Sequence, residues 1–277
     1  VQAQTFDKLW KEVEQAEKKS LPKTVIKLTD EIYQKGEKEK NSPQMLKAYA
    51  WRMKYREMLN PDSLYAGLKG LEQWGKQTDQ PMDRAILHSL IAGIYANYAA
   101  NNQWQLRQRT EIVGQTPSAD IREWTANMFV EKVRTNVKEA LADSVLLLKT
   151  SSRDYIPFVE LGKTSEYYHH DLYHLLASRG IDALLQVEKL GSGYTETNAV
   201  NPVKQDIIAI YGNMLSAYKA AGLKEGYVLI ALNYLEWRRG AERYIRPLQV
   251  KGEASVLTDD TYLKALNTLK KFVELNS

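Results

Sequence analysis

Cysteine is absent from the 277 residues. That excludes disulfides, Cys-ligated zinc, iron–sulfur clusters, thiol catalysis and an internal thioester within this chain. The redox compartment stays open, because a chain without thiols suits either. Long apolar runs are missing too. None approaches the ~20 residues a membrane-spanning helix needs, so no transmembrane segment is expected. Glycine is modest, at 15 residues, and no cluster of it fits a phosphate loop. Gly191-Ser192-Gly193 has no strand before it, no third glycine and no lysine after it, and reads as a flexible turn. A G-x-S-x-G nucleophile elbow is also lacking. Neither charge sign dominates, with 38 Lys plus Arg against 34 Asp plus Glu. The excess sits in the first 60 residues, where 13 basic side chains face 9 acidic ones. A nucleic-acid binder presents a basic stripe with few acids in it. Here Glu14 stands four before Lys18, and Asp7, Glu12, Glu17, Glu31, Glu37 and Glu39 lie among the lysines. That interleaving is a solvated helix face, and no nucleic-acid partner is expected.

What is present is helical periodicity from end to end. The composition, 44% hydrophobic and 26% charged, is that of a folded, water-soluble chain. Phe6, Leu9, Trp10, Val13 and Ala16 form one stripe behind a Thr5 cap. Pro22 opens a second helix with Val25, Leu28, Ile32 and Tyr33. Ser42-Pro43 opens a third, read as a cap followed by proline at the first helical position. Asn60-Pro61-Asp62-Ser63 is a turn before Leu64, Leu68, Leu71 and Trp74, and Pro81 starts a helix carrying Ile86, Leu90, Ile94 and Tyr95. Starts near Leu21 and Ser63 are about 42 residues apart, and those near Pro43 and Pro81 about 38. Tandem helix pairs of that length predict an all-α chain of antiparallel pairs stacked as a tetratricopeptide-like superhelix. The small residues Ala85, Ser89, Ala92, Gly93 and Ala96 are read as points of close helix approach.

The second half is less regular. One long stripe runs from Trp124 through Val130, Val133, Val137, Leu141 and Val145 to Leu148. A loop is expected over Ser151 to Gly162, a helix from about Ser165 to Leu190, and a loop from Gly191 to Pro202. A final pair spans Val203–Ala221, ended by Gly222, and Glu225–Arg239, ended by Gly240. A last helix starts at Thr258-Asp259. About ten helices are predicted. Residues 1–115 read as tandem repeats and 116–277 as a less regular helical region continuous with them.

Candidate sites are few. On a helix from Ser165, Glu166, His170 and His174 share one face and form the only metal-like constellation, with His169 beside them. His170-Asp171-Leu172-Tyr173-His174 mimics H-E-x-x-H, but its Asp reaches less far than Glu toward a metal-bound water. The plainer reading is a polar helix start, and no metal, cofactor or catalytic residue is expected. Tyr95, Tyr98 and Trp104 are candidates for a groove-lining partner surface, although at helical spacing they also suit the core. Arg238, Arg239, Arg243 and Arg246 cluster at a helix end, where cations are favoured, and the first three join the candidate partner surface.

Several segments resemble a known family. They are F6-D-K-L-W-K-E-V-E-Q-A-E-K-K-S-L-P-K-T, L46-K-A-Y-A-W-R-M-K-Y, A85-I-L-H-S-L-I-A-G-I-Y, N101-N-Q-W and D171-L-Y-H-L-L-A-S-R-G-I-D-A-L. Together they resemble the helical N-terminal region of the alpha-2-macroglobulin-like proteins of Bacteroides-type bacteria. The resemblance implies an exported, cell-envelope protein that traps foreign proteases, with β-sandwich macroglobulin domains after the helical region. The thioester Cys-x-x-Gln and bait segment of that family are not in this sequence, so no functional residue carries over. The stretch Val1-Gln2-Ala3-Gln4 suits the stub left by a signal peptide, or simply a boundary. The expected role is a non-enzymatic interaction or scaffold module, with following macroglobulin domains or a separate protein as partner. The alternatives are a stand-alone peptide-binding adaptor and, remotely, a metal-dependent hydrolase.

Overall fold

A computed structural model of the chain describes residues 5–112, 114–163, 165–190, 201–243 and 259–276. Among the described residues the protein is all-α, with twelve helices. The sole strand-like feature is an isolated bridge between Ser151 and Asp171. No helix of the described residues is long and apolar enough to cross a membrane.

The first five helices follow the sequence signals closely. They are α1 (Phe6–Lys18), α2 (Pro22–Lys38), α3 (Ser42–Leu59), α4 (Ser63–Gln77) and α5 (Pro81–Asn101). Thr5 caps α1 by accepting from the Lys8 backbone N–H. The turns after α1 and α2 are built alike. Ser20 and Lys40 each sit at φ 53°, and the next N–H reaches back to the final turn, Leu21 to Ala16 and Asn41 to Gly36. The cap of α3 is Asn41, not Ser42. The Ser42 hydroxyl instead donates to Asp83 at 2.5 Å, a tertiary partner that periodicity could not reveal.

Beyond α5 the elements vary more in length. They are α6 (Gln103–Arg107), α7 (Ala126–Ala140), α8 (Ser144–Lys149), α9 (Leu172–Val187), α10 (Pro202–Ala221), α11 (Lys224–Arg243) and α12 (Asp259–Asn276). The long stripe from Trp124 is not one helix. Trp124 follows a 3-10 turn, and the helix breaks after Ala140 because Asp143 caps a new one, accepting from the Leu146 N–H at 3.1 Å. The helix expected from Ser165 begins only at Leu172, for the same reason: Asp171 accepts the His174 N–H at 2.7 Å. Both aspartates satisfy N–H groups that a continuing helix would have bonded internally. Gly222 ends α10 at φ 71°, a left-handed position that suits glycine. Gly240, expected as a stop, lies within α11.

Packing runs mainly between chain neighbours, with one exception that organises the molecule: α5, α7 and α9 all touch one another. Their apolar faces form a cluster of buried side chains extending from Leu46 to Ile230, across the division expected near residue 115. A smaller cluster of Leu9, Val13, Val25, Leu28, Ile32 and neighbours holds α1 and α2 against α3. Tyr33 packs on both clusters. Its ring meets Trp74 edge-on at 5.9 Å, with the Arg52 guanidinium 4.9 Å from its centroid.

Candidate functional site: a groove over α5

Three of the faces of α5 meet other helices, and the fourth is open. A cavity of about 640 Å³ lies over it, walled by α3 and the start of α4 on one side and by α9 on the other. The floor is two parallel rows on α5, each at four-residue spacing. Leu90, Ile94 and Tyr98 form an apolar row, and Gly93, Asn97 and Asn101 form a polar one. Ser89 lies beneath them, its hydroxyl buried without a hydrogen-bond partner. Met53, Lys54 and Glu57 of α3 and Arg179, Asp182 and Gln186 of α9 supply the walls. Each wall thus carries one cation and one anion. The cavity has the size and the mixed lining of a ligand site.

The floor is rigid. The Tyr98 ring stacks on Phe129 at 5.4 Å. Tyr98 also hydrogen-bonds Tyr65 on the rim, whose phenol is pushed up to about 12 by burial first and by that bond second. Arg122 lies over the Tyr65 ring at 4.9 Å and pairs with Asp120 at 2.8 Å. On the α9 wall, loss of water raises the Asp182 carboxyl above the ordinary carboxylate range, while Arg179 pulls the other way. Asn97 and Asn101 are exposed, and neither carboxamide has a partner among the described residues.

The aromatic candidates separate. Tyr95, offered as partner surface, is 3% exposed. It belongs to the core, because its ring stacks on Trp124 at 5.4 Å and its hydroxyl donates to Glu72 at 3.0 Å. Tyr98 lines the groove. Trp104 is 71% exposed but on α6, outside the groove lining. Arg238 and Arg239 are half-buried on α11, with Arg238 5.6 Å from the Tyr234 ring centroid. The side chain of Arg243 and all of Arg246 lie outside the described residues, as does Gly191-Ser192-Gly193.

The histidine constellation does not assemble as a metal site. With α9 starting at Leu172, Glu166 and His170 precede the helix that would have aligned them with His174. His170 Nε2 donates to the Ser165 carbonyl at 2.7 Å, and Glu166 is exposed. His174 Nδ1 accepts from the Tyr218 hydroxyl at 2.9 Å, whose oxygen accepts the His169 N–H at 2.8 Å. His174 stacks on Tyr168 at 4.6 Å. Burial, then His169 and His170, push its pKa down to about 4. Among the described residues no group of three His, Asp or Glu side chains is placed to hold a metal ion. These residues tie the loop before α9 to α10.

A second cavity of about 650 Å³ lies beside α7. His88 donates through Nδ1 to Asn136 Oδ1 at 2.8 Å there, because the Asn136 amide is committed to the Lys132 carbonyl. Glu111 accepts the Asn127 N–H at 3.0 Å, serving as a cap for α7. Each of these contacts has a structural job.

The groove residues Gly93, Asn97, Asn101 and Arg179 were not among the sequence candidates. A signal exists, since glycine and two asparagines recur every fourth residue in the otherwise apolar stretch from Leu90 to Asn101. Gly93 was grouped with Ala85, Ser89, Ala92 and Ala96 as a close-approach position. The other four are buried, but a Cβ on Gly93 would meet nothing within 4 Å. No protein-family model, no curated protein and no solved structure matches the chain.

Proposed function

We propose that this chain is a non-catalytic interaction module that holds a segment of another protein in the groove over α5. The groove itself supports this reading: an open, preformed cavity of about 640 Å³ with an apolar row, a row of uncommitted carboxamides and balanced charges on its walls. Its lining contains no histidine, the buried Tyr49 hydroxyl donates to the Gly67 carbonyl, and no group hydrogen-bonds the Ser89 hydroxyl. That is a surface for recognition rather than for proton transfer or nucleophilic attack. In the setting that the resemblance to bacterial alpha-2-macroglobulin-like proteins implies, the module belongs to an exported envelope protein, and its partner is either a following domain or a separate chain.

The test is site-specific photocrosslinking in cells. A benzophenone amino acid replaces Glu57 or Gln186 on the groove walls, and Glu14 on the outer face of α1 serves as control. The expected result is one crosslinked protein, the same from both walls, absent from the control and reduced by Gly93→Leu. Equal crosslinking at all three positions, or none at the walls, overturns the reading.

A further inference from the structure

We infer that the groove takes its partner as an extended, uncharged peptide segment, held by its backbone on Asn97 and Asn101; this rests on the groove being the binding site. The spacing of the two carboxamides suits an extended chain. Four residues of α-helix advance ~6 Å. Two residues of extended chain advance ~6.7 Å, and every second residue turns its N–H and C=O to the same edge. Asn97 and Asn101 are four apart on α5, and each carboxamide offers a donor and an acceptor. They match the two-residue repeat of an extended backbone, one carboxamide per alternate residue. Gly93 continues the row one turn earlier without a side chain, which lets the chain pass close to the helix.

Two further observations fix the chemistry. Ile94 and Tyr98 lie in the adjacent row, so one alternate set of peptide side chains meets an apolar strip and the other set faces the walls. Charge complementarity sets the rest. Lys54 and Glu57 on one wall, and Arg179 and Asp182 on the other, leave the groove with no net charge. A phosphate backbone or an anionic lipid headgroup finds no excess of cations there, whereas a neutral peptide carrying apolar residues at every second position fits. The helical advance falls short of the strand advance by roughly a tenth per step, so register holds over about four peptide residues.

The test starts from a phage library of random dodecapeptides selected on the full chain and counter-selected on Gly93→Leu. A Cβ at Gly93 meets nothing within 4 Å, so the leucine side chain is aimed into the groove, and the thermal melt of the variant is measured alongside. Selected peptides are synthesised and titrated by fluorescence anisotropy. We expect Gly93→Leu to abolish binding while melting no lower than the parent. The Asn97→Ala, Asn101→Ala double variant should weaken binding by about tenfold or more, since it removes several backbone hydrogen bonds. N-methylation along the peptide should be harmful at every second position only. Groove-dependent peptides that bind as helices, ignore the double variant or tolerate N-methylation everywhere overturn the extended mode and leave the interaction module standing. Recovery of no Gly93-sensitive peptide, with crosslinks still forming at Glu57 and Gln186, does the same. A dimer of the chain that Gly93→Leu dissociates also overturns it, with a second copy as the occupant.

Discussion

The α1–α3 layer and the α5–α7–α9 centre are both built from packed α-helices but fold by different logic. In the outer layer α1 and α2 each have one buried stripe and one wet face, while α3 divides its buried residues between the two clusters. Leu9, Val13 and Ala16 point inward on α1, its lysines and Glu14 face out, and Glu17 reaches across to accept from Trp51 and Tyr55 of α3. In the centre, α5 is covered on several sides. Met82, Ala85, Ile86, Leu87, Ile91, Tyr95 and Ala99 are buried around much of its circumference. A helix with one apolar stripe is designed for one neighbour. A helix that is apolar nearly all round needs several, and any polar stripe left on it marks the face without one. On α5 that stripe is Gly93, Asn97 and Asn101, which is why the candidate site lies over this helix.

The sharpest way to break the comparison is to empty a central position. Phe129 is fully buried against Tyr95, Tyr98 and Trp124. Phe129→Ala should cost about 3–5 kcal/mol and move the whole urea transition. Leu9→Ala in the outer layer should cost about 2 kcal/mol and open only α1 in hydrogen exchange. If the two variants lose stability equally and globally, the division into layer and centre is wrong.

Next in size is a pH effect at the edge of the centre. The folded chain holds the His174 pKa down to about 4, from an ordinary value of 6.5. The unfolded chain therefore binds the extra proton between those values. His174 contributes fully above pH 6.5, and its contribution falls away as pH drops toward 4, by up to about 3 kcal/mol. Asp171 acts with the opposite sign. Burial raises its carboxyl, so the stability its protonated form gives is lost as pH rises through its raised folded pKa. The difference between the parent and His174→Gln in urea midpoints from pH 4 to 7 isolates the histidine. The variant should lose stability less steeply on acidification. An identical slope would place the proton elsewhere.

Two helix-interior glycines sharpen the contrast at smaller scale. A Cβ on Gly180 of α9 would lie 2.9 Å from Cγ1 of Val137 on α7, a stiff side chain. Gly180→Ala should destabilise by about 1–3 kcal/mol through forced separation of the two helices. Gly93→Ala, facing open space, should stabilise by about 0.5–1 kcal/mol because alanine loses less backbone entropy on folding. Thermal melts of the two variants should move in opposite directions.

Much of this was legible beforehand where a local rule sufficed. Thr5, Pro22, Pro43, Pro81 and Gly222 mark real helix boundaries, because caps, proline rings and left-handed glycines act through a few adjacent residues. Asp143 and Asp171 followed the same capping rule but were hidden inside apolar periodicity, which a helix start interrupts only slightly. Tyr95 and Tyr98 stand three residues apart, and nothing local says that one stacks on Trp124 in the core while the other lines a groove.

The sequence by itself determined the all-α class and the outer-layer helices, and its lack of cysteine excluded thiol and thioester chemistry, since composition and short-range periodicity act without knowledge of neighbours. The tertiary structure decided which face of α5 stays open. It also gave Ser42 to Asp83 instead of to its own helix. Each of those outcomes depends on which helices meet across long stretches of chain, and a contact between distant residues has no signature in either partner's immediate sequence.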